Sequence, residues 1–233
     1  MNILLGAQRF VLYNYSVTPE VSLVLSGYVK EGLLELVQWD IPVKDIHYFG
    51  QNVIINDCLY KHLHVSRYLA YSDVDELIMP QKHKTWMALI QSVRKRTPNV
   101  GSIAFRNTFF GTNGNWRMDT KGYNQSKEAR LYRVTPLLRV WRDKKILPAF
   151  SRTKQIVIPE RVRSVRIHLV DKHMYRKQFE AYVVSPKDGL LYHYRWVSGV
   201  KEKIKDDRLR TYSDMLLSSV KRRHFQFVTG KKV

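Results

Sequence analysis

The sequence predicts an α/β fold in which a mostly parallel sheet is covered by helices, and three observations carry that expectation. Between Phe10 and Phe110, short β-branched and aromatic runs alternate with segments whose apolar residues recur at helical spacing. Pro19, Gly32, Pro42 and Gly50 fall between those runs, where turns belong. With 233 residues, 44% hydrophobic and 26% charged, the chain has enough apolar material for one core and is read as a single domain over residues 1–233.

Phe10 to Tyr15 is the first strand, followed by a turn-prone stretch to Pro19. Val21, Val24, Leu25 and Tyr28 line one helical face up to Lys30, with Pro19 suited to the helix start and Gly32 to its end. Leu34 to Trp39 alternates as a strand, and Gln51 to His64 returns to helical spacing with Ile55, Cys58, Leu59 and Leu63 on one face. Tyr68 to Tyr71 is a buried strand running into Ser72–Glu76. Thr85 caps a helix to Arg96, and Gly101 to Phe110 is a further strand. Residues 111–126 are polar and glycine-rich, a long surface loop of the kind that forms a lid or binding wall. Strands follow at 155–158, 165–170, 181–184 and 190–194, then a charged terminal helix from about Trp196 to Val220.

Composition excludes several classes. Cys58 is the sole cysteine, so no internal disulfide or cysteine-based metal site can form. No apolar run approaches a membrane span, and Met1–Leu5 lacks the parts of a signal peptide. The formal net charge is +20, from 40 Lys and Arg against 20 Asp and Glu. The basic residues are dispersed, the clusters Arg94–Arg96 and Lys221–Arg223 are short, and no nucleic-acid module is present. A diphosphate ligand accounts for the charge as well as nucleic acid does.

The segment that points to chemistry is Asp73-Val74-Asp75-Glu76. Open α/β sheets place ligands beyond the carboxyl ends of their strands, and here an apolar strand ends in two carboxylates separated by one residue. In an extended segment residues i and i+2 share a side, so Asp73 and Asp75 converge on one cation. Carboxylate oxygens suit Mg²⁺ or Mn²⁺, which share their shells with substrate phosphates. Taken alone, the same residues also describe an acidic loop at a strand end.

Five segments in order resemble glycosyltransferase family 92: Gly6-Ala7-Gln8-Arg9-Phe10-Val11-Leu12-Tyr13-Asn14; Gly50-Gln51 with Asn56-Asp57-Cys58-Leu59-Tyr60; Asp73-Val74-Asp75-Glu76-Leu77-Ile78; Phe105-Arg106-Asn107-Thr108-Phe109-Phe110; and Leu191-Tyr192-His193-Tyr194-Arg195. The resemblance implies a GT-A, Rossmann-like fold with a mostly parallel or mixed sheet flanked by helices. It implies a hexosyltransferase using a UDP-sugar, UDP-galactose in particular, with Mn²⁺ (or Mg²⁺), inversion to a β linkage, and a glycan or glycoprotein acceptor. It further implies residence at the lumenal side of the Golgi membrane, with membrane association only through an N-terminal anchor. In the family a strand and helix precede the Gly6-Ala7 segment, so Met1 is read as falling inside that helix, the chain as N-terminally truncated, and its UDP affinity as weaker than that of a version extended by that strand.

Under that resemblance a late histidine completes the metal shell, and both His193 and His168 are candidates; each is equally read as a hydrogen-bonded structural imidazole. Lys154 and Arg195 are candidates for the donor diphosphate, and Gln51 and Asp57 for its base or ribose. Arg106, Asn107 and Thr108 suggest a wall of the sugar or acceptor pocket, and Trp116 and Tyr123 a stacking surface or an anchor for their loop. Candidate bases for the acceptor hydroxyl are Asp119, Glu128 and Asp143, while Glu76 is read as support for the metal loop. Two other readings stay open from the residues: a metal-dependent, nuclease-like basic protein, and an inactive relic of the transferase fold that survives as a binding module.

Overall fold

The computed structural model describes residues 1–41, 45–114, 116–175 and 178–230; Pro42 lies outside them. The chain divides into two compact units that interleave in sequence, one of Met1–Ile46, Arg117–Val140 and Asp206–Val233, the other of His47–Trp116 and Trp141–Lys205.

The first unit opens with β1 (Phe10–Asn14), α1 (Pro19–Lys30) and β2 (Leu34–Gln38). β1 and β2 are parallel, from Phe10 opposite Leu34 to Asn14 opposite Gln38. A helical crossover is the expected way to join parallel neighbours. Pro19 occupies the first helical turn, where a missing N–H costs nothing, and Gly32 takes the left-handed conformation (φ 69°) just beyond the end. The same unit holds α4 (Ser126–Leu131) and α5 (Ser213–Arg223), the latter running into a π-helical turn over His224–Thr229. Gly27 of α1 is there for close approach: a Cβ would run into the Phe227 ring, which sits edge-on to Tyr28 at 5.2 Å. Arg222 and Arg223 both pair with Glu31, the residue that ends α1.

The second unit contains α2 (Gln51–Lys61), α3 (Trp86–Arg96) and two sheets. A four-stranded sheet runs β11-β5-β8-β3, with β3 (Leu69–Tyr71), β5 (Val100–Phe105), β8 (Lys154–Val157) and β11 (Glu180–Val183). A five-stranded sheet runs β13-β7-β6-β12-β4, with β4 (Glu76–Pro80), β6 (Asn107–Gly111), β7 (Trp141–Asp143), β12 (Gly189–Arg195) and β13 (Lys203–Lys205). A hairpin pairs β9 (Val162–Val165) with β10 (Val170–His173). The core of this unit gathers Ile78, Leu89, Ile90, Val93, Ile103, Phe105 and Leu191, so α3 packs its apolar face on β4, β5 and β12.

The architecture is mixed α/β. Parallel pairs are β1–β2, β5–β11 and β6–β12, while β8 is antiparallel to both its neighbours and β4 to β12. Three sequence-based expectations are corrected. The strand expected over 101–110 is two strands in different sheets, because Arg106 turns its guanidinium to the carbonyls of Leu147 and Ile146 and the chain breaks there. The strand expected over 165–170 is the turn of the β9–β10 hairpin and the strand ends beside it. The terminal helix begins only at Ser213, because Lys203–Lys205 pairs with β7 and takes its backbone bonds there.

Candidate functional site

Asp73 and Asp75 lie between β3 and β4, in a tight turn rather than the extended segment expected. Glu76 closes that turn twice: its N–H donates to the Asp73 carbonyl at 3.1 Å, and its Oε2 accepts the Asp73 N–H at 3.0 Å. Val74 at the apex is 96% exposed, so nothing in the core holds the turn from that side. The two aspartates therefore face different partners. Gln51 Nε2, at the start of α2, donates to Asp73 Oδ1 at 3.2 Å, and Lys154 Nζ, at the start of β8, lies 3.1 Å from Asp73 Oδ2. His193 Nε2 on β12 lies 3.3 Å from Asp75 Oδ2.

Strand pairing fixes this meeting. β12 sets His193 directly opposite Glu76 on β4, and the Tyr194 N–H donates to the Asp75 carbonyl at 2.9 Å. Beneath the turn, Glu76 is buried with His193 Nδ1 at 3.3 Å from Oε1 and Lys154 at 3.6 Å from Oε2. Asn107, fully buried on β6, places its Nδ2 3.0 Å from the same imidazole nitrogen. The Phe109 ring packs 5.4 Å from the imidazole.

Burial dominates the electrostatics. It pushes the Glu76 carboxyl up to about 7, against the Lys154 ammonium and the Asp73 N–H, while the charges of Asp73 and Asp75 push the same way as burial. Burial also holds His193 below the ordinary imidazole value, although Asp75 acts in the opposite sense. His168 is lowered by burial and then by the Lys154 charge. Its carbonyl accepts from Thr153, its Nδ1 is buried without a hydrogen bond, and no bond among the described residues joins it to either aspartate.

The chemistry of the donor set fits a hard divalent cation. Among the described residues no three His, Cys, Asp or Glu side chains close into a ready-made cage. Asp75 Oδ2 and His193 Nε2 are 3.3 Å apart, a spacing compatible with the roughly 3 Å between adjacent ligands of an octahedral ion bound at about 2.1 Å. The aspartates are the exposed members of the group, at 42% and 44%, while Glu76, Lys154 and His193 are almost entirely covered. Exposed oxygens over a buried, hydrogen-bonded support is the arrangement that orients metal ligands.

The remaining sequence candidates divide. Arg195 ends β12, and its charge reaches His193. Asp57 pairs with Lys61 one helical turn on, at 2.8 Å. Arg106 and Thr108 hold the carbonyls of residues 143–147, so they shape the segment that leads to Lys154 instead of lining an open pocket. Trp116 is buried against Gly111 with Lys203 over its ring at 4.6 Å, which anchors its loop and leaves no open face for a sugar. Asp143 belongs to the same unit as the carboxylate turn; Asp119, Glu128 and Tyr123 belong to the other. There Asp119 accepts the Lys121 N–H and its carbonyl takes Arg210, Glu128 lies 3.9 Å from Lys221, and Tyr123 stacks with Arg210 and bonds Ser213. Sequence reasoning gave Asn107 a pocket role and missed its contact with His193, 86 residues away.

Among the described residues no helix is long and apolar enough to cross a membrane. A search of curated proteins returns no match. The family model of glycosyltransferase family 92 matches residues 1–226, and it runs through every segment that builds the carboxylate turn and its support. The chain belongs to glycosyltransferase family 92.

Proposed function

We propose that this glycosyltransferase transfers a hexose, galactose foremost, from its UDP-sugar to a glycan or glycoprotein acceptor. Transfer inverts the anomeric carbon to a β linkage, at the lumenal side of the Golgi membrane. The observation that supports this reading is one turn that carries two exposed carboxylates, Asp73 against Gln51 and Lys154 and Asp75 against His193, over a buried layer of Glu76 and Asn107. Asp73, Asp75 and His193 would hold Mn²⁺ or Mg²⁺, which when bound supplies positive charge against the diphosphate leaving group.

The chain's own residues do the rest. Gln51 and Lys154 fix both Asp73 oxygens in direction, so the carboxylate is pre-aimed before a ligand arrives. Arg195 is suited to forking a phosphate beside His193. In the reaction the acceptor hydroxyl oxygen bonds to the anomeric carbon as the bond from that carbon to the UDP oxygen breaks, and the hydroxyl proton passes to a base. Asp143 is the base to test first because it shares the unit of the site, where its Oδ1 accepts the Lys145 N–H.

The test is transfer from radiolabelled UDP-galactose to a panel of glycans, with linkage analysis of the product. The reading expects a β-linked product and a loss of about 100-fold or more in Asp75→Ala. Equal turnover of several UDP-sugars would contradict the donor assignment, and an α-linked product the inversion.

A further inference from the structure

We infer that Arg152 is a donor-binding residue of this site, a guanidinium that grips the diphosphate of the nucleotide; this rests on the assignment of the carboxylate turn to a UDP-sugar. Nothing in the composition distinguishes Arg152 among 40 basic residues, and the distinction comes from three features of its setting.

The first is backbone conformation. Arg152 sits at φ 54° and Phe150, two residues earlier, at φ 63°. Both are non-glycine residues in the left-handed region, which L side chains enter at a cost. Glycine would relieve either position, yet the chain places an arginine and an aromatic there. Strain of this kind persists where the surroundings enforce it and clusters at binding sites.

The second is what the enforced conformation achieves. The Arg152 guanidinium lies 5.9 Å above the Phe109 ring, and Phe109 packs in turn on His193 at 5.4 Å. The Arg152 charge is also felt at His168, whose imidazole responds to Lys154 and Asp73 as well. Arg152 is thus exposed one aromatic ring away from His193, the residue that pairs with Asp75.

The third is the shortage of anions around it. Lys154, two residues on, is buried and committed to Asp73 and Glu76. Arg106 is committed to the carbonyls of Leu147 and Ile146. Arg152 makes no ion pair among the described residues, its only partner being the Phe109 face. A planar fork on an aromatic face, beside a carboxylate turn and without a carboxylate of its own, has the donor geometry that a bridging diphosphate accepts. A monoanionic sugar acceptor would use the fork less fully than two phosphates do.

The experiment uses the whole chain and three variants, Arg152→Ala, Arg152→Lys and Arg152→Gly, with Asp75→Ala alongside. Mn²⁺ alone is followed by electron paramagnetic resonance, UDP and uridine with Mn²⁺ by calorimetry, and unfolding by thermal melt. We expect Arg152→Ala and Arg152→Gly to weaken UDP by about 10- to 100-fold while Mn²⁺ alone and uridine bind as in the parent. Arg152→Lys should fall between, since it keeps the charge and loses the fork. Arg152→Gly should also melt higher than Arg152→Ala, because glycine relieves the φ, a stability change opposite in sign to its loss of UDP.

Unchanged UDP affinity in both Arg152→Ala and Arg152→Gly overturns the inference and leaves the carboxylate assignment standing. UDP binding that survives Asp75→Ala but not Arg152→Ala removes the cation assignment and keeps Arg152. A parent protein that binds no UDP with Mn²⁺ overturns both.

Discussion

Asn56 stands in a family motif without a role read from the sequence, yet its side chain bonds both backbone groups of a buried residue in another element. From α2 its Nδ2 donates to the Val165 carbonyl at 2.8 Å and its Oδ1 accepts the Val165 N–H at 3.0 Å. The side chain acts as one more strand partner for the end of β9, tying the helix that carries Gln51 to the β9–β10 hairpin. Val165 is 1% exposed, so Asn56→Ala leaves both its backbone groups without a partner. A buried group left unpaired costs about 1–3 kcal/mol, and water entering beside the half-buried Asn56 offsets part of the sum. The expected loss is about 2–4 kcal/mol, or a melting temperature lower by roughly 5–15 °C. Circular dichroism melts measure the stability, and hydrogen exchange at the Val165 amide reports the site directly. A variant that melts within about 2 °C of the parent and keeps Val165 protected would refute the reasoning.

Two further outcomes follow from positions outside the site. In Gly101→Ala the new Cβ would stand 2.5 Å from His173 Cδ2 and 3.3 Å from Phe179 Cβ, so a loss of about 1–3 kcal/mol is expected, mostly recovered in the double variant with His173→Ala. Burial lowers His173 from the ordinary 6.5, with Glu180 acting in the opposite sense, so the folded state favours neutral imidazole. That stability is whole above pH 6.5 and declines as pH falls from there through the lowered folded value, where the unfolded chain takes the proton first. Denaturant titrations across that window should show a smaller pH slope in His173→Gln, and an identical slope would remove His173 as a source.

The local signals in the sequence were strong where the interactions are local. Pro19 and Gly32 bracket α1, Thr85 caps α3 by accepting the Ala88 N–H, and the apolar strand ahead of Asp73 marks the site. What the sequence concealed depends on distant partners. Gly101 to Phe110 reads as one continuous strand, and only the carbonyls of Leu147 and Ile146, some forty residues on, make Arg106 the point where one sheet ends and the other begins. Glu76 reads as support for the loop, but the partners that accompany its burial, Lys154 and His193, lie far away in sequence. Lys203–Lys205 carries the charge pattern of a helix and becomes a strand because β7 offers it an edge. The same blindness applied to Lys154: a lysine's burial cannot be read when the anions that justify it lie far away in sequence.

If Asp73 and Asp75 hold a divalent cation for a nucleotide-sugar, ligand must stabilise the folded chain through them, and a thermal melt reads that directly. With Mn²⁺ and UDP at about 100 times the dissociation constant, binding to the folded state alone adds about 2.7 kcal/mol, a rise in melting temperature of several degrees. The expected result is that rise in the parent, its absence with either ligand withheld at the same concentration, and its absence in an Asp75→Ala variant that melts like the unliganded parent. An Asp75→Ala variant stabilised by Mn²⁺ and UDP as much as the parent would contradict it.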